Sequence, residues 1–283
     1  MIFIFISIFL FSSNNVLWKK NLQTVSIPFL VGYRAFFTSL ISCVLVIYFY
    51  NFQDLFSLPH VKITLGSIFG VLGLFCMLTV IKNAPLQWLG IYNLIGVVFT
   101  AVYLFIVEKI ALFESILGLV LIVLGFLAYL FFNKENDVKI TSKQHLYLLL
   151  MTLFFSTSSL IHWKNLTSEV PALVIITNQE FVVFFTALLI IVKTQMYSQI
   201  KLGISINFKK VLVMALLIFL ALLFSFLGLK VTNPLISSLL FLSNPLLTIV
   251  FAALFFKEKI NLYTILALIF ISSGAFILHL QSV

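Results

Sequence analysis

Ten stretches of roughly twenty apolar residues follow one another along this chain, and almost nothing lies outside them. Their approximate edges are Ile2–Trp18, Ile27–Tyr50, Ile63–Ile81, Leu86–Val107, Phe113–Phe132, Leu146–Trp163, Pro171–Val192, Val211–Leu229, Leu235–Phe256 and Ile260–Leu280. A helix rises 1.5 Å per residue, so about twenty residues cover a hydrocarbon layer about 30 Å thick. Only 9% of the residues are charged and the mean hydropathy is +1.23, whereas a water-soluble domain carries about 25% charged residues. The chain lacks the polar groups for an aqueous exterior. The expected class is an all-α multi-pass membrane protein with ten transmembrane helices. Strands of a membrane β-barrel alternate apolar and polar residues over about ten positions, and these runs are apolar on every face.

The same pattern limits the function classes. The longest expected loop is 193–210, so no soluble catalytic domain is present. The net charge of +9 comes from lysines at the ends of the runs, where ammonium groups reach the headgroup layer, so the lipid bilayer rather than nucleic acid is the expected partner. The first run has no positive residue before it and no small-residue cleavage pattern after it, and reads as a retained helix. Cys43 and Cys76 fall inside apolar runs without the spacing of a metal or redox motif. A P-loop, a His-Glu-x-x-His pair and a nucleophile elbow are all missing from the sequence, so neither an enzyme nor a cofactor is expected.

Four local matches recur in the same order. Trp18-Lys19-Lys20-Asn21-Leu22 resembles Trp163-Lys164-Asn165-Leu166, and FFTSL at 36–40 resembles FFTAL at 184–188. Asn83-Ala84-Pro85 has its counterpart in Thr232-Asn233-Pro234, and Glu108-Lys109-Ile110 in Glu258-Lys259-Ile260. The offsets drift slowly, through 145, 148, 149 and 150 residues, as diverged copies with small insertions would produce. Two repeats of five helices follow, at 1–133 and 143–283. Five is odd, so the second copy enters the bilayer from the opposite side. Inverted repeats of this kind are characteristic of secondary transporters, whose midplane site opens to either side in turn.

Five-plus-five helices, Tyr33-Arg34-Ala35-Phe36 early in the second span, the Asn-Ala-Pro turn after the third and Glu-Lys-Ile closing the fourth and ninth resemble the EamA-type permeases of the drug/metabolite transporter superfamily. The resemblance covers essentially the whole chain. It departs in the fourth span, where Ile95-Gly96 stands opposite Asn244-Pro245 of the ninth, and in Val107 and Lys257 before the glutamates, where the family usually has Gly. It implies a ten-helix carrier whose cavity is walled by four helices of each half, with the fifth and tenth packing outside.

Two ionisable residues lie well inside apolar runs. Arg34 is about seven residues, or roughly 10 Å, into its helix, so its side chain could snorkel to the interface; an interfacial anchor or cavity-mouth charge is the favoured reading. Glu180 is deeper and shorter, at an insertion cost of about 2.5–3.5 kcal/mol for a central charge, and should face a cavity or a partner. The FFT alignment equates Arg34 with Val182 rather than Glu180, a difference of about 200° of helix rotation, so an ion pair between them is open without being implied. Asn and Gln are harder to satisfy within their own helix than Ser and Thr. Asn14, Asn15, Asn93, Asn178 and Asn244 are therefore candidates for substrate binding with Glu180, and Tyr92 joins them. Tyr33 and Trp88 could stack on a substrate, although with 16% aromatics any one ring is more often structural. Pro245 frees a carbonyl in its helix, and Gly66, Gly70 and Gly73 allow close helix approach.

The expected function is a secondary carrier, exporter or exchanger, of a small metabolite or amphipathic solute, in the cytoplasmic membrane of a bacterium. Without an ATP-binding motif its driving force must be a gradient or exchange, and Glu180 favours a proton. The alternatives are a non-transporting scaffold or receptor subunit, and a channel; a homodimer is left open. An N-terminus inside would put Lys62, Lys109, Lys164 and Lys230 in cytoplasmic loops and the other twelve lysines outside. The positive-inside rule thus favours an external N-terminus, whereas the resemblance implies the reverse.

Overall fold

A computed structural model describes residues 1–82, 87–109, 116–132, 140–195, 197–256 and 262–281. Among these the secondary structure is entirely helical, with no strand. The helices are α1 (Ile2–Asn21), α2 (Ile27–Phe49), α3 (Phe52–Phe56), α4 (His60–Ile81), α5 (Gln87–Ile106), α6 (Ile116–Phe132), α7 (Ser142–Thr167), α8 (Ala172–Lys193), α9 (Tyr197–Val231), α10 (Pro234–Phe241), α11 (Ser243–Phe256) and α12 (Leu262–Gln281). Six segments are long and apolar enough to cross a membrane: α1, α2, α4, α7, α8 and Phe208–Val231 of α9. The other four expected runs fall on α5, α6, α10 with α11, and α12.

Local chemistry sets the boundaries. Pro28 stands in the first turn of α2, where its missing N–H would have had no partner in any case. A capping box opens α7: the Thr141 hydroxyl accepts from the Gln144 N–H at 3.3 Å, and the Gln144 side chain accepts from the Thr141 N–H at 2.8 Å. At α10 the Asn233 side chain accepts from the Ile236 N–H at 2.8 Å, with Pro234 following it. After α5 the chain turns through Lys109, whose φ of 54° is left-handed and ends the helix.

Two connections differ from expectation. The segment at 193–210 is largely helical rather than a loop, because α9 begins at Tyr197 and runs for 35 residues; its sequence holds two glycines and no proline. Between α2 and α4 lies the short α3, whose Phe52 and Phe56 are exposed together with Tyr48 and Phe49, a grouping suited to the membrane interface. Glu258 and Lys259, one half of the repeated boundary, lie outside the described residues, as do Asn83, Ala84 and Pro85.

The helices pack in pairs that draw one member from each half of the chain: α1 on α9, α2 on α8, α4 on α7 and α6 on α12. Further contacts join α2 to α9 and α4 to α8, α1 to α11 and α5 to α7, and α5 to α10. The α4–α7 pair is antiparallel without slippage, since Gly66, Gly70 and Gly73 lie against His162, Ser158 and Phe155. On α1 and α9, Ile4 meets Gly228 while Asn21 meets Met214, again antiparallel. Gly274 of α12 approaches the Gly118 carbonyl and Gly125 of α6 faces Phe270. Lipid is as apolar as Leu, so such helices are held by close packing and hydrogen bonds rather than by the hydrophobic effect. Small residues at the crossings supply the closeness.

Candidate transport cavity

Between these pairs lies a cavity of about 300 Å³. Its wall comes from α1, α2, α4 and α5 on one side and from α7, α8, α9, α10 and α11 on the other, and no described residue of α6 or α12 contributes. Lining positions such as Asn15, Gly70, Asn93, Ser156 and Glu180 fall away from the helix ends. Most of the wall is apolar or hydroxyl-bearing. Among the described lining residues the formally charged side chains are Arg34 and Glu180.

These two form an ion pair through Arg34 Nη1 and Glu180 Oε2, and each residue is only 1–2% exposed. The indole of Trp18 lies 5.8 Å from the guanidinium carbon, within cation–π range. Arg34 therefore does not sit at an interface, as its depth in the helix suggested. Either charge alone would be costly at this depth, and pairing offsets that cost. Helix rotation across the repeat alignment leaves the pair open without implying it; α2 and α8 touch each other directly, and their crossing brings the residues together.

Other expected residues divide into two groups. Asn14, Asn15, Asn93 and Asn244 line the cavity with Arg34 and Glu180. Ser12 donates to Asn244 Oδ1 at 2.7 Å, and Asn15 Nδ2 donates to Asn244 Oδ1 at 3.5 Å and to Thr248 at 3.4 Å. Asn14 is fully buried and neither atom of its amide has a partner among the described residues. Asn178, Tyr92, Trp88 and Tyr33 are not on the wall. Asn178 joins α8 to α4, donating to Thr64 at 3.0 Å and accepting from Ser67 at 2.8 Å. The Tyr92 hydroxyl bonds His145 Nδ1 at 2.7 Å, Trp88 stands edge-on to the same imidazole, and Tyr33 packs between Phe29 and Phe37.

Asn244 stands at a break in the helix. α10 ends at Phe241 and α11 begins at Ser243, and the absent N–H of Pro245 leaves the Phe241 carbonyl without its usual donor. Ser243 hydroxyl donates to the Leu240 carbonyl at 2.7 Å, and Thr248 hydroxyl to the Asn244 carbonyl at 2.8 Å, so side chains satisfy part of what the break exposes. The corresponding span, α5, runs unbroken past Gly96, where Thr152 and Ser156 of α7 come so close that a Cβ would collide with both hydroxyls.

His162 was not anticipated. It is 1% exposed and lines the cavity. Its ring lies against Gly66, where a Cβ would stand 2.7 Å from Cε1, and edge-on to Phe226 with centroids 5.3 Å apart. Neither ring nitrogen has a hydrogen-bond partner among the described residues. The available signal was the 66, 70, 73 glycine spacing, which on an antiparallel neighbour selects 162, 158 and 155. At one end of the cavity helices, Lys164 bridges to Glu108 at 2.6 Å, and the Tyr103 hydroxyl donates to the same carboxylate at 3.0 Å. The Lys164 hydrogen bond, helped by Tyr103, holds the Glu108 carboxyl below its ordinary value.

Residues 142–280 match the model of the EamA-like transporter family. Over that stretch the chain belongs to the EamA-like transporter family. The EamA-like family is part of the drug/metabolite transporter superfamily, and with the apolar helices it makes this an integral, multi-pass membrane protein. No curated protein sequence matches the chain. Twenty-four chains of solved structures match it; one, a protein crystal structure, superposes with a TM-score of 0.70 over 99% of this chain and 97% of that chain at 13% identity. A likeness at that identity concerns the fold alone, and it spans both halves of the chain.

Proposed function

We propose that this EamA-like protein is a secondary carrier, an exporter or exchanger, that moves a small metabolite or amphipathic solute by alternating access. In this reading ten spans form two inverted five-helix repeats, 1–133 and 143–283, in a bacterial cytoplasmic membrane. The observation that carries it is the cavity of about 300 Å³ walled by the middles of helices from both halves. The helix pairing supports the repeat: exchanging the halves turns α1–α9 into α4–α7, α2–α9 into α4–α8 and α1–α11 into α5–α7, and leaves α2–α8 and α6–α12 unchanged. Such a pattern suits a two-fold axis in the membrane plane. The wall is amphipathic, with Phe, Leu and Met beside Ser, Thr and Asn and one neutralised ion pair, which fits a solute with an apolar body and a few polar groups. A proton gradient or exchange drives the movement.

Thermal-shift screening against amino acids, nucleosides, vitamins and sugars identifies a binding solute, and counterflow of that solute into liposomes holding the purified protein tests transport. Saturable counterflow is expected. Protein-dependent flux that never saturates would indicate a channel, and none at all a scaffold or receptor subunit. A reporter fused after Gln195 follows the seventh span and one after Val283 follows the tenth, so the two should appear on opposite sides of the membrane; reporters on the same side would overturn the ten-span reading.

A further inference from the structure

Three side chains on the cavity wall can ionise: Arg34, Glu180 and His162. The first two are committed to each other. Protonating Glu180 would leave a guanidinium buried without its counter-charge, and Arg does not give up its proton. His162 is under no such commitment, and imidazole is the side chain whose charge changes between pH 5 and 8.

Burying an imidazole without hydrogen bonds is unfavourable, yet both ring nitrogens of His162 lack partners and are shut off from solvent. The seat is shared between the halves, with Gly66 of α4 on one side of the ring and Phe226 of α9 beside it. Movement of α4 against α7 therefore opens or closes it. The closed seat has room for the ring only because residue 66 has no side chain. It offers an imidazolium no acceptor, so a charged ring favours the open arrangement and a neutral ring tolerates the closed one.

Other ionisable groups around it are engaged or distant in register. On α4 they are His60 and Lys62, exposed at the helix start, and the half-buried Cys76 farther along it. On α5 Tyr92 bonds His145 at 2.7 Å, and Tyr103 donates to Glu108, just past the helix end, which also pairs with Lys164. On α9 Lys230 pairs with Glu169 at 2.9 Å, and Lys209 and Lys210 lie near the other end of its apolar segment. On α7 itself are Lys143, His145, Tyr147 and Lys164, and α10 has none. No hydrogen bond or ion pair among the described residues joins any of these to the imidazole.

We infer that His162 is the proton-binding group of the cavity. It takes a proton from water when the seat opens and must give it up before the seat closes, which makes the equilibrium between the open and closed arrangements depend on pH. This rests on the carrier reading above, and it transfers the proton-binding role expected of Glu180 to a residue of α7.

The test uses full-length protein in lipid nanodiscs with ¹⁵N-labelled histidine. The chain has four histidines, so the His162 resonance is the one lost in His162→Gln. Between pH 8 and pH 5 that resonance should move from the neutral to the imidazolium position, accompanied by a change in tryptophan emission. His162→Gln should reduce the emission change at least about fivefold, while His60→Gln, at an exposed position, retains it. A ring that stays neutral throughout, or an emission change that survives in His162→Gln, overturns the inference. Should His162→Gln fail to fold, Gln variants of the other three histidines assign the resonance by elimination and the wild-type titration decides. Counterflow by the wild-type protein separates the two readings: its absence removes the carrier, whereas counterflow with a ring that never protonates removes only this inference.

Discussion

The α4–α7 and α1–α9 contacts each set one helix of the first half of the chain against one of the second, yet they are built by different means. In α4–α7, three glycines on one helix receive His162, Ser158 and Phe155 of the other, and Ser158 donates to the Gly66 carbonyl at 2.8 Å. In α1–α9, Gly228 alone receives a side chain, that of Ile4. Beside it Ser7 donates to the Ala221 carbonyl at 2.8 Å, Asn21 Nδ2 donates to Met214 Sδ at 3.3 Å and Phe3 stacks on Phe224 at 6.0 Å. A notch of missing side chains can hold a polar group close to a facing backbone, whereas an apolar surface can only exclude it. The difference seats polar side chains of α7 at the α4 notch and leaves α1–α9 as the more apolar seam, while α1 turns Asn15 toward α11. Both contrast with α2–α8, where the cavity-facing contact is a charge pair.

That charge pair sets the upper end of the scale. Arg34→Met should destabilise the folded protein by about 3–5 kcal/mol, because Glu180 remains buried without a counter-charge. Replacing both residues with Met should recover most of the loss, since the apolar pair asks for no compensation. Denaturant titration in detergent compares the two variants. Equal destabilisation of the single and the double variant would mean that shape, not charge, holds α2 to α8.

The glycine notches come next. Gly→Ala in a helix interior by itself gains about 1 kcal/mol, so the sign of each substitution reports the crowding. Gly66→Ala should cost about 1–3 kcal/mol net by overpacking, because the new Cβ meets three atoms of a buried imidazole within 3.0 Å. Gly228→Ala should cost less: its neighbour Ile4 lies in the first turn of α1, which can move. Midpoints of thermal unfolding give the order. Should Gly228→Ala prove the costlier, the notched seam is not the tighter one.

Much of the fold was legible because a twenty-residue apolar run has few alternatives to a helix, and Pro245 marked the break that separates α10 from α11. Less of the cavity was legible. Polar residues inside apolar runs stood out in the sequence, yet Asn178 and Tyr92 turn to neighbouring helices while Asn14 and Asn244 turn to the cavity, and sequence periodicity does not tell which neighbour a helix will have. Arg34 and Glu180 illustrate the limit, since the pair depends on how α2 crosses α8 rather than on where either residue lies in its own helix. His162 was hidden for a related reason. A lone histidine beside Trp163 and Lys164 looks like the end of a span, and only the register with Gly66 shows it to be inside.

The smallest effect is expected at the rim, where the two corresponding contacts of the outer walls differ again. α5 meets α7 through a charged bond, Glu108 with Lys164, while the described contacts of α1 with α11 run through Ser12, Asn15, Asn244 and Thr248, none of which titrates. Glu108 has its carboxyl value lowered in the folded protein, chiefly by the Lys164 hydrogen bond. A lowered folded-state value means stability that is fully present above the ordinary carboxylate value of about 4.3 and is lost as pH falls through the lowered one. Lys164 is half exposed, so solvent screens the pair and its worth is about 0.2–1 kcal/mol. Other carboxylates titrate over the same range, and the informative quantity is the difference between wild type and Glu108→Gln. That difference should be greatest near pH 6 and vanish toward pH 3. A difference that is constant with pH would assign the bond's contribution to shape alone and remove the charged rim from the contrast between the two walls.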